Sequence, residues 1–215
     1  EVDGTRLATF KERHCEHCLK RTYNKGQKDE YSIYYHYVLE AKLVVGDIVI
    51  SIDTEFVENE EENIEKQDCE IKAFYRMAKR IKEQYPKLPI IISGDALYAC
   101  EPVITTCVDN KWEYILRLKD GRLKLLVEEI EGLEKAEIEE KNIRYWNEVK
   151  YGEVQREKRA NVLKFYENKK DKVTEFMWIT SILITEKNKE TLVYFGRQRW
   201  KIENEGFNMQ KNGTF

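Results

Sequence analysis

The sequence predicts an α/β fold, and three observations carry that expectation. Runs rich in Val, Ile and Tyr alternate with stretches of helical periodicity. A short continuous apolar run, of the kind buried on both faces of a sheet, follows the clearest helix. A further helix then leads into another strand-like segment. At 215 residues the chain can hold one sizeable domain, or one domain carrying an insertion.

Taken in order, Tyr34–Val45 and Asp47–Phe56 read as two strands joined by a tight turn at Gly46-Asp47. The stretch Glu55–Glu70 holds eight acidic residues and reads as a solvated loop running into a first helical turn. A helix follows, with Asp68 as its expected N-cap. Its apolar stripe is Ile71, Phe74, Tyr75, Ala78, Ile81 and Tyr85, and Pro86 ends it. The apolar run Leu88–Ile92 leads directly into Ser93-Gly94-Asp95-Ala96-Leu97-Tyr98. Pro102 suits the first turn of a helix reaching about Asn110, and Trp112–Leu118 makes the next strand.

A helix-like segment from about Arg122 to Leu133 comes next. Beyond it, Ile143–Ile184 lacks helical periodicity and is rich in Tyr, Val, Phe, Trp and Ile. It reads as a β-rich insertion, residues 134–188, between a first part of the core (1–133) and a final helical part (189–215). In it Trp146 packs within the insertion or stacks on an unpaired base, and the first is the commoner fate. Trp112 and Trp178 read as core, while Trp200 and Phe207, seven apart, would dock the last helix on the sheet.

Charged residues make up 36% of the chain and the mean hydropathy is −0.69, which suits a soluble protein. No apolar run approaches the ~20 residues of a membrane helix. A net charge of −3 does not advertise a nucleic-acid partner, so any DNA contact must come from local basic patches. Five cysteines, without a charged-then-apolar leader, argue for reduced thiols in a cytoplasmic setting. Only two residues precede Asp3, too few for a strand ending there, so the chain reads as a fragment.

Three acidic residues stand out by position. Asp3, in Val-Asp-Gly-Thr, sits at the expected end of a strand, with Gly4 allowing a close approach to the backbone. Asp95 sits at the end of the buried run. Carboxylates at the C-terminal ends of neighbouring strands converge on the crevice where α/β proteins bind ligands. Glu203 sits mid-helix, four residues from Arg199 and on the same face. Singly, an Asp before Gly is most often a turn residue and a mid-helix Glu is usually solvent-facing. The joint pattern shifts the balance.

The carriers Asp3-Gly4-Thr5, the run around Asp95 and Arg197-Gln198-Arg199-Trp200-Lys201-Ile202-Glu203-Asn204 together resemble the DDE transposases of bacterial insertion sequences. The similarity is to the subgroup with a Tyr/Arg/Glu/Lys signature. It implies a ribonuclease H-like mixed sheet flanked by helices, with a β-rich insertion before the last catalytic helix. Two departures stand out. Gly196 occupies the position of the signature Tyr, and Gln210 that of the signature Lys, with Lys211 one step further.

The resemblance implies a bacterial, nucleoid-associated enzyme that cleaves and transfers DNA strands at element ends. Two Mg2+ ions ~3.5–4 Å apart, with Mn2+ able to substitute, would serve an in-line displacement. Asp3, Asp95 and Glu203 would be the metal-holding carboxylates. Arg199 would hold a phosphate oxygen, and Arg197, Lys201 and Lys211 would attract the DNA backbone. Double-stranded DNA is the implied partner, and synapsis of two ends implies a homodimer. Alternatives are a related nuclease or integrase, a remnant that binds DNA or a partner without cutting, and a zinc-dependent interaction module built on Cys15 and Cys18.

His14-Cys15-Glu16-His17-Cys18 offers one Cys-x-x-Cys pair, whereas a closed zinc site needs four ligands, usually from two such pairs. Cys69, Cys100 and Cys107 form no second pair. Cys15 and Cys18 are therefore expected to be reduced thiols in a loop rather than a structural Zn2+ site.

Overall fold

A computed structural model describes residues 1–46, 48–58, 68–119, 121–135, 142–151, 158–169 and 172–198. The chain divides into two compact units, one built on Val2–Pro86 and the other on Lys87–Glu203.

The first unit contains β1 (Val2–Phe10), β2 (Leu19–Tyr23), β3 (Tyr31–Val45), β4 (Ile48–Val57) and α1 (Glu70–Gln84). All pairings are antiparallel and all involve β3, which is 15 residues long. Residues 34–41 of β3 pair with β1, residues 31–35 with β2, and residues 37–45 with β4. A strand has two edges, so the overlaps place β1 on one and β2 followed by β4 along the other. The hairpin between β3 and β4 turns at Gly46, whose φ of 59° suits glycine.

Helix α1 packs on this sheet through Ala73, Phe74, Met77, Ala78 and Ile81, all buried. The buried face is thus rotated from the expected stripe: Tyr75 is 38% exposed, and Tyr85, past the end of the helix, 41%. The flanking arginines explain the phase. Arg76 reaches Glu55 and Asp68, and Arg80 reaches Asp53 and Glu55, tying α1 to β4. Asp68 is consequently not the N-cap. Its carboxylate takes Arg76 at 2.6 Å and the Glu58 N–H at 3.3 Å, and Cys69 stands at the cap with no side-chain hydrogen bond.

The expected strand end at Asp3 is also corrected. Asp3 is the second residue of β1, a strand of nine residues that continues through Thr5, Leu7 and Thr9. Eight of these pair with β3, and that pairing extends the strand where local pattern alone gave no signal.

The second unit contains β5 (Ile91–Gly94), α2 (Glu101–Asp109), β6 (Glu113–Leu118), α3 (Lys124–Lys135), β7 (Ile143–Tyr151), β8 (Lys158–Lys169), β9 (Lys172–Thr180) and α4 (Lys189–Arg197). Its sheet runs β5-β6-β9-β8-β7, with β5 parallel to β6 and the other pairs antiparallel. The β-rich segment therefore continues the sheet of β5 and β6 through β9. Trp112 and Trp178 are buried, as expected of core residues, and Trp146 is half-buried on β7. Leu88–Ile92 is not buried on both faces: the strand begins at Ile91, Leu88 and Ile91 are exposed, and Ile92 on the other face is buried.

The two faces of this sheet follow from the alternation of β8. Leu163, Phe165 and Glu167 share the face that receives α4. A core of Ile115, Leu163, Trp178, Ile184, Leu192 and Val193 forms there. Lys164 and Tyr166 point to the opposite face, where Glu134 of α3 takes Lys164 at 2.6 Å, Arg144 at 3.1 Å and the Tyr166 hydroxyl. The result is a mixed α/β fold, a mixed sheet flanked by helices, as in ribonuclease H-like proteins. No helix among the described residues is long and apolar enough to cross a membrane.

Candidate active site

Asp95 follows immediately after β5, at its C-terminal end, where the sequence pattern had placed it. Four local contacts fix the turn around it. The Leu97 N–H donates to Asp95 Oδ1 at 2.7 Å, and the Tyr98 N–H donates to the Asp95 carbonyl at 3.2 Å. The Cys100 N–H then donates to the Tyr98 carbonyl at 2.7 Å, and α2 begins one residue later. Tyr98, wholly buried, folds back onto Gly94, where an added Cβ would meet its ring at 2.9 Å. The Gly-Asp-x-x-Tyr spacing thus has a physical reason: glycine admits the ring, and the Asp side chain closes the turn. Asp95 itself remains half-exposed at the strand end.

Asp3 lies on β1 directly opposite Glu40 of β3. Glu40 is mostly buried and paired with Lys42 at 2.5 Å, Lys42 being buried as well. Two carboxylates therefore stand side by side on adjacent strands, with one ammonium close by. Glu40 carried no sequence signal, because only the strand register brings it level with Asp3. The neighbouring Gly4 does admit a close approach. Its Cα faces the Tyr37 ring and the Glu70 carboxylate, which accepts the Tyr37 hydroxyl at 2.8 Å.

Helix α4 leads into the Arg/Glu signature, and its docking is well defined. Gly196 rests on the Trp178 indole, while Leu192 and Val193 enter the core beside it. Arg197 makes a two-point contact with Glu167, at 3.1 and 3.4 Å, and its guanidinium lies 4.1 Å from the centre of the Phe176 ring. Arg197 thus has a partner on its own sheet, which DNA would have to displace. Arg199, Trp200, Lys201, Glu203, Phe207, Gln210 and Lys211 lie outside the described residues, as does the expected continuation of this helix.

Residues 59–215 match the transposase DDE domain, group 1. The chain belongs to the DDE transposase family. Among curated proteins, none matches it. Membership gives this transposase a role in DNA transposition, with nuclease and transposase activity on DNA and divalent metal use as properties of the family at large. Asp95 and Glu203 fall within the matched residues, and Asp3 precedes them.

One grouping in the transposase escaped the sequence reading. Cys15, Cys18 and His36 bring their ligand atoms within 4.8 Å of one another. The pair signal was visible, but the third member arrives from β3, 18 residues past Cys18, at no ligand spacing that a linear pattern would reveal. Cys107, by contrast, is fully buried in α2, and burial pushes its thiol up to about 12. It is a packing residue rather than a nucleophile.

Proposed function

We propose that this chain is the catalytic core of a DNA transposase that cleaves and transfers phosphodiester bonds at insertion-sequence ends. The observation that carries the reading is Asp95. It is a half-exposed carboxylate at the C-terminal end of a strand in the DDE-matched region, with one oxygen fixed by the Leu97 N–H. That bond orients Oδ2 as the oxygen available to a cation. The donor set fits Mg2+, a hard ion that takes carboxylate oxygens and keeps several waters. Asp3, Asp95 and Glu203 are the proposed ligands.

When bound, a pair of such ions would activate the attacking hydroxyl and stabilise the leaving oxygen of the phosphodiester. The chain's own contribution is positioning. The closed turn at Asp95 holds the carboxylate without reorganisation, and the packing of Gly196 on Trp178 fixes the end of α4. Arg199 would grip a phosphate oxygen, and Lys201 and Lys211 would add attraction to the DNA backbone. A homodimer is the assembly that two synapsed ends would require.

The test is cleavage of a labelled element-end duplex by the full-length protein with Mg2+. Replacing Asp3, Asp95 or Glu203 with Ala should abolish strand cleavage while end binding persists. Cleavage retained by Asp95→Ala would overturn the proposed site.

A further inference from the structure

We propose that Cys15, Cys18 and His36 form a zinc site that fastens the β1–β2 connection to β3. The three ligand atoms already stand at metal-binding separations. Cys15 Sγ and Cys18 Sγ are 3.6 Å apart, and His36 Nε2 lies 3.5 Å from Cys15 Sγ and 3.6 Å from Cys18 Sγ. A zinc ion bonded at about 2.3 Å to sulfur and about 2.05 Å to nitrogen, at tetrahedral angles, sets sulfurs about 3.8 Å apart and sulfur and nitrogen about 3.6 Å apart. The triangle fits that geometry within about 0.2 Å on each side. A disulfide does not explain it, since bonded sulfurs sit about 2.05 Å apart and need no imidazole.

The fold builds this triangle from separate elements. The Cys18 N–H donates to the Cys15 carbonyl at 3.3 Å, closing the Cys-x-x-Cys turn so that both sulfurs point the same way. Leu19 then starts β2 and pairs with Tyr35, which brings Cys18 beside the next residue of β3, His36. On the other edge His36 pairs with Ala8 of β1, and the Phe10 ring meets the imidazole edge-on. His14 stacks on Tyr34, which shares the face of β3 that carries His36, and so holds the loop over that face. Cys18 is 5% exposed, His36 half-buried and Cys15 exposed. Three protein ligands leave a fourth position, which a water on the exposed Cys15 side would fill.

Ligand chemistry selects the ion. Two thiolates and an imidazole suit Zn2+ and disfavour Mg2+, so this centre is chemically separate from any carboxylate site. Binding displaces one proton from each thiol and takes the neutral imidazole, which leaves a centre with no net charge. Its role is structural: a short strand and the loop before it are clamped to the long strand that also carries β1 and β4.

The experiment is metal analysis of the purified full chain, with Zn2+ and then Co2+ as probes. The expected result is about one zinc per chain, a gain of two titratable thiols on stripping the metal, and thiolate-to-metal charge-transfer absorption with Co2+. Cys18→Ser and His36→Ala should each lower zinc content at least tenfold, while His36→Cys should retain it. Zinc content near zero in the unaltered chain, or unchanged in Cys18→Ser, would overturn the site; so would a Cys15–Cys18 disulfide in freshly purified protein. Should Cys18→Ser fail to fold, the Co2+ spectrum of the unaltered chain and zinc retention by His36→Cys still decide the matter.

Discussion

Gly196 lies directly against the indole of Trp178: a Cβ added at position 196 would come within 2.5 Å of Cε2 and 2.6 Å of Nε1. This contact gives a physical reason for one departure from the family signature. A tyrosine at 196 would need the space that Trp178 fills, and Trp178 is 1% exposed within the core that receives α4.

Gly196→Ala should therefore destabilise the protein by about 1–3 kcal/mol through overpacking. Helix propensity acts the other way, favouring Ala over Gly by about 1 kcal/mol in a helix interior. The sign of the change in a urea unfolding curve thus separates the two effects. An unfolding midpoint at or above that of the unaltered chain would show that the indole can yield.

Gly4→Ala should be similarly costly, by about 1–3 kcal/mol. The new Cβ would meet the Tyr37 ring at 2.5 Å and a Glu70 oxygen at 2.7 Å, forcing apart the hydrogen bond that links β3 to α1. Tyr37→Phe should cost about 1 kcal/mol, the usual net value of one such bond. If Gly4→Ala is no worse than Tyr37→Phe in the same unfolding assay, the close approach is not a constraint.

Glu134 makes stability depend on acid. Burial alone would raise its pKa, but hydrogen bonds from Lys164 and Tyr166, with the charges of Lys164 and Arg144, outweigh it and hold the carboxyl below its ordinary range. A carboxylate with a lowered folded-state pKa stabilises the fold fully above its unfolded value, about 4.3. That contribution fades as pH falls through the lower folded value. Glu134→Gln should cost about 2 kcal/mol at pH 7, because Lys164 is buried and keeps only Glu175, at 3.2 Å, among its described ion pairs. The two stability curves should converge in acid. A gap that stays constant down to pH 3 would contradict this assignment.

Arg80 and Glu55 form one limb of the network between α1 and β4, with Arg76, Asp53 and Asp68 as the others. The hydrogen bonds that Arg80 donates to Asp53 and Glu55 hold its guanidinium in the charged form against burial. A double-mutant cycle with Arg80→Ala and Glu55→Gln should give a coupling of about 1 kcal/mol, reduced but not erased by salt. Strict additivity of the two substitutions would mean that the arginine is held by Asp53 alone.

Much of this architecture was legible in the sequence where a residue's neighbours in the chain are also its neighbours in space. Asp95 is the clearest case, since strand, Gly94, turn and Tyr98 all lie within a few residues. The hairpin at Gly46, the helix opened by Pro102 and the buried Trp112 and Trp178 were legible for the same reason. The phase of α1 was not, because Arg76 and Arg80 answer to Glu55 on β4, 21 and 25 residues earlier. Nor was the length of β1, which exists as nine residues only because β3 pairs with it.

The order of the Asp95 turn and the Arg/Glu segment was set by the chain itself, and with it the family, since local chemistry is written in consecutive residues. Strand register and face required the tertiary structure. It set Glu40 opposite Asp3, brought His36 to Cys15 and Cys18, and seated Gly196 on Trp178, because such pairings join residues whose separation along the chain has no fixed period.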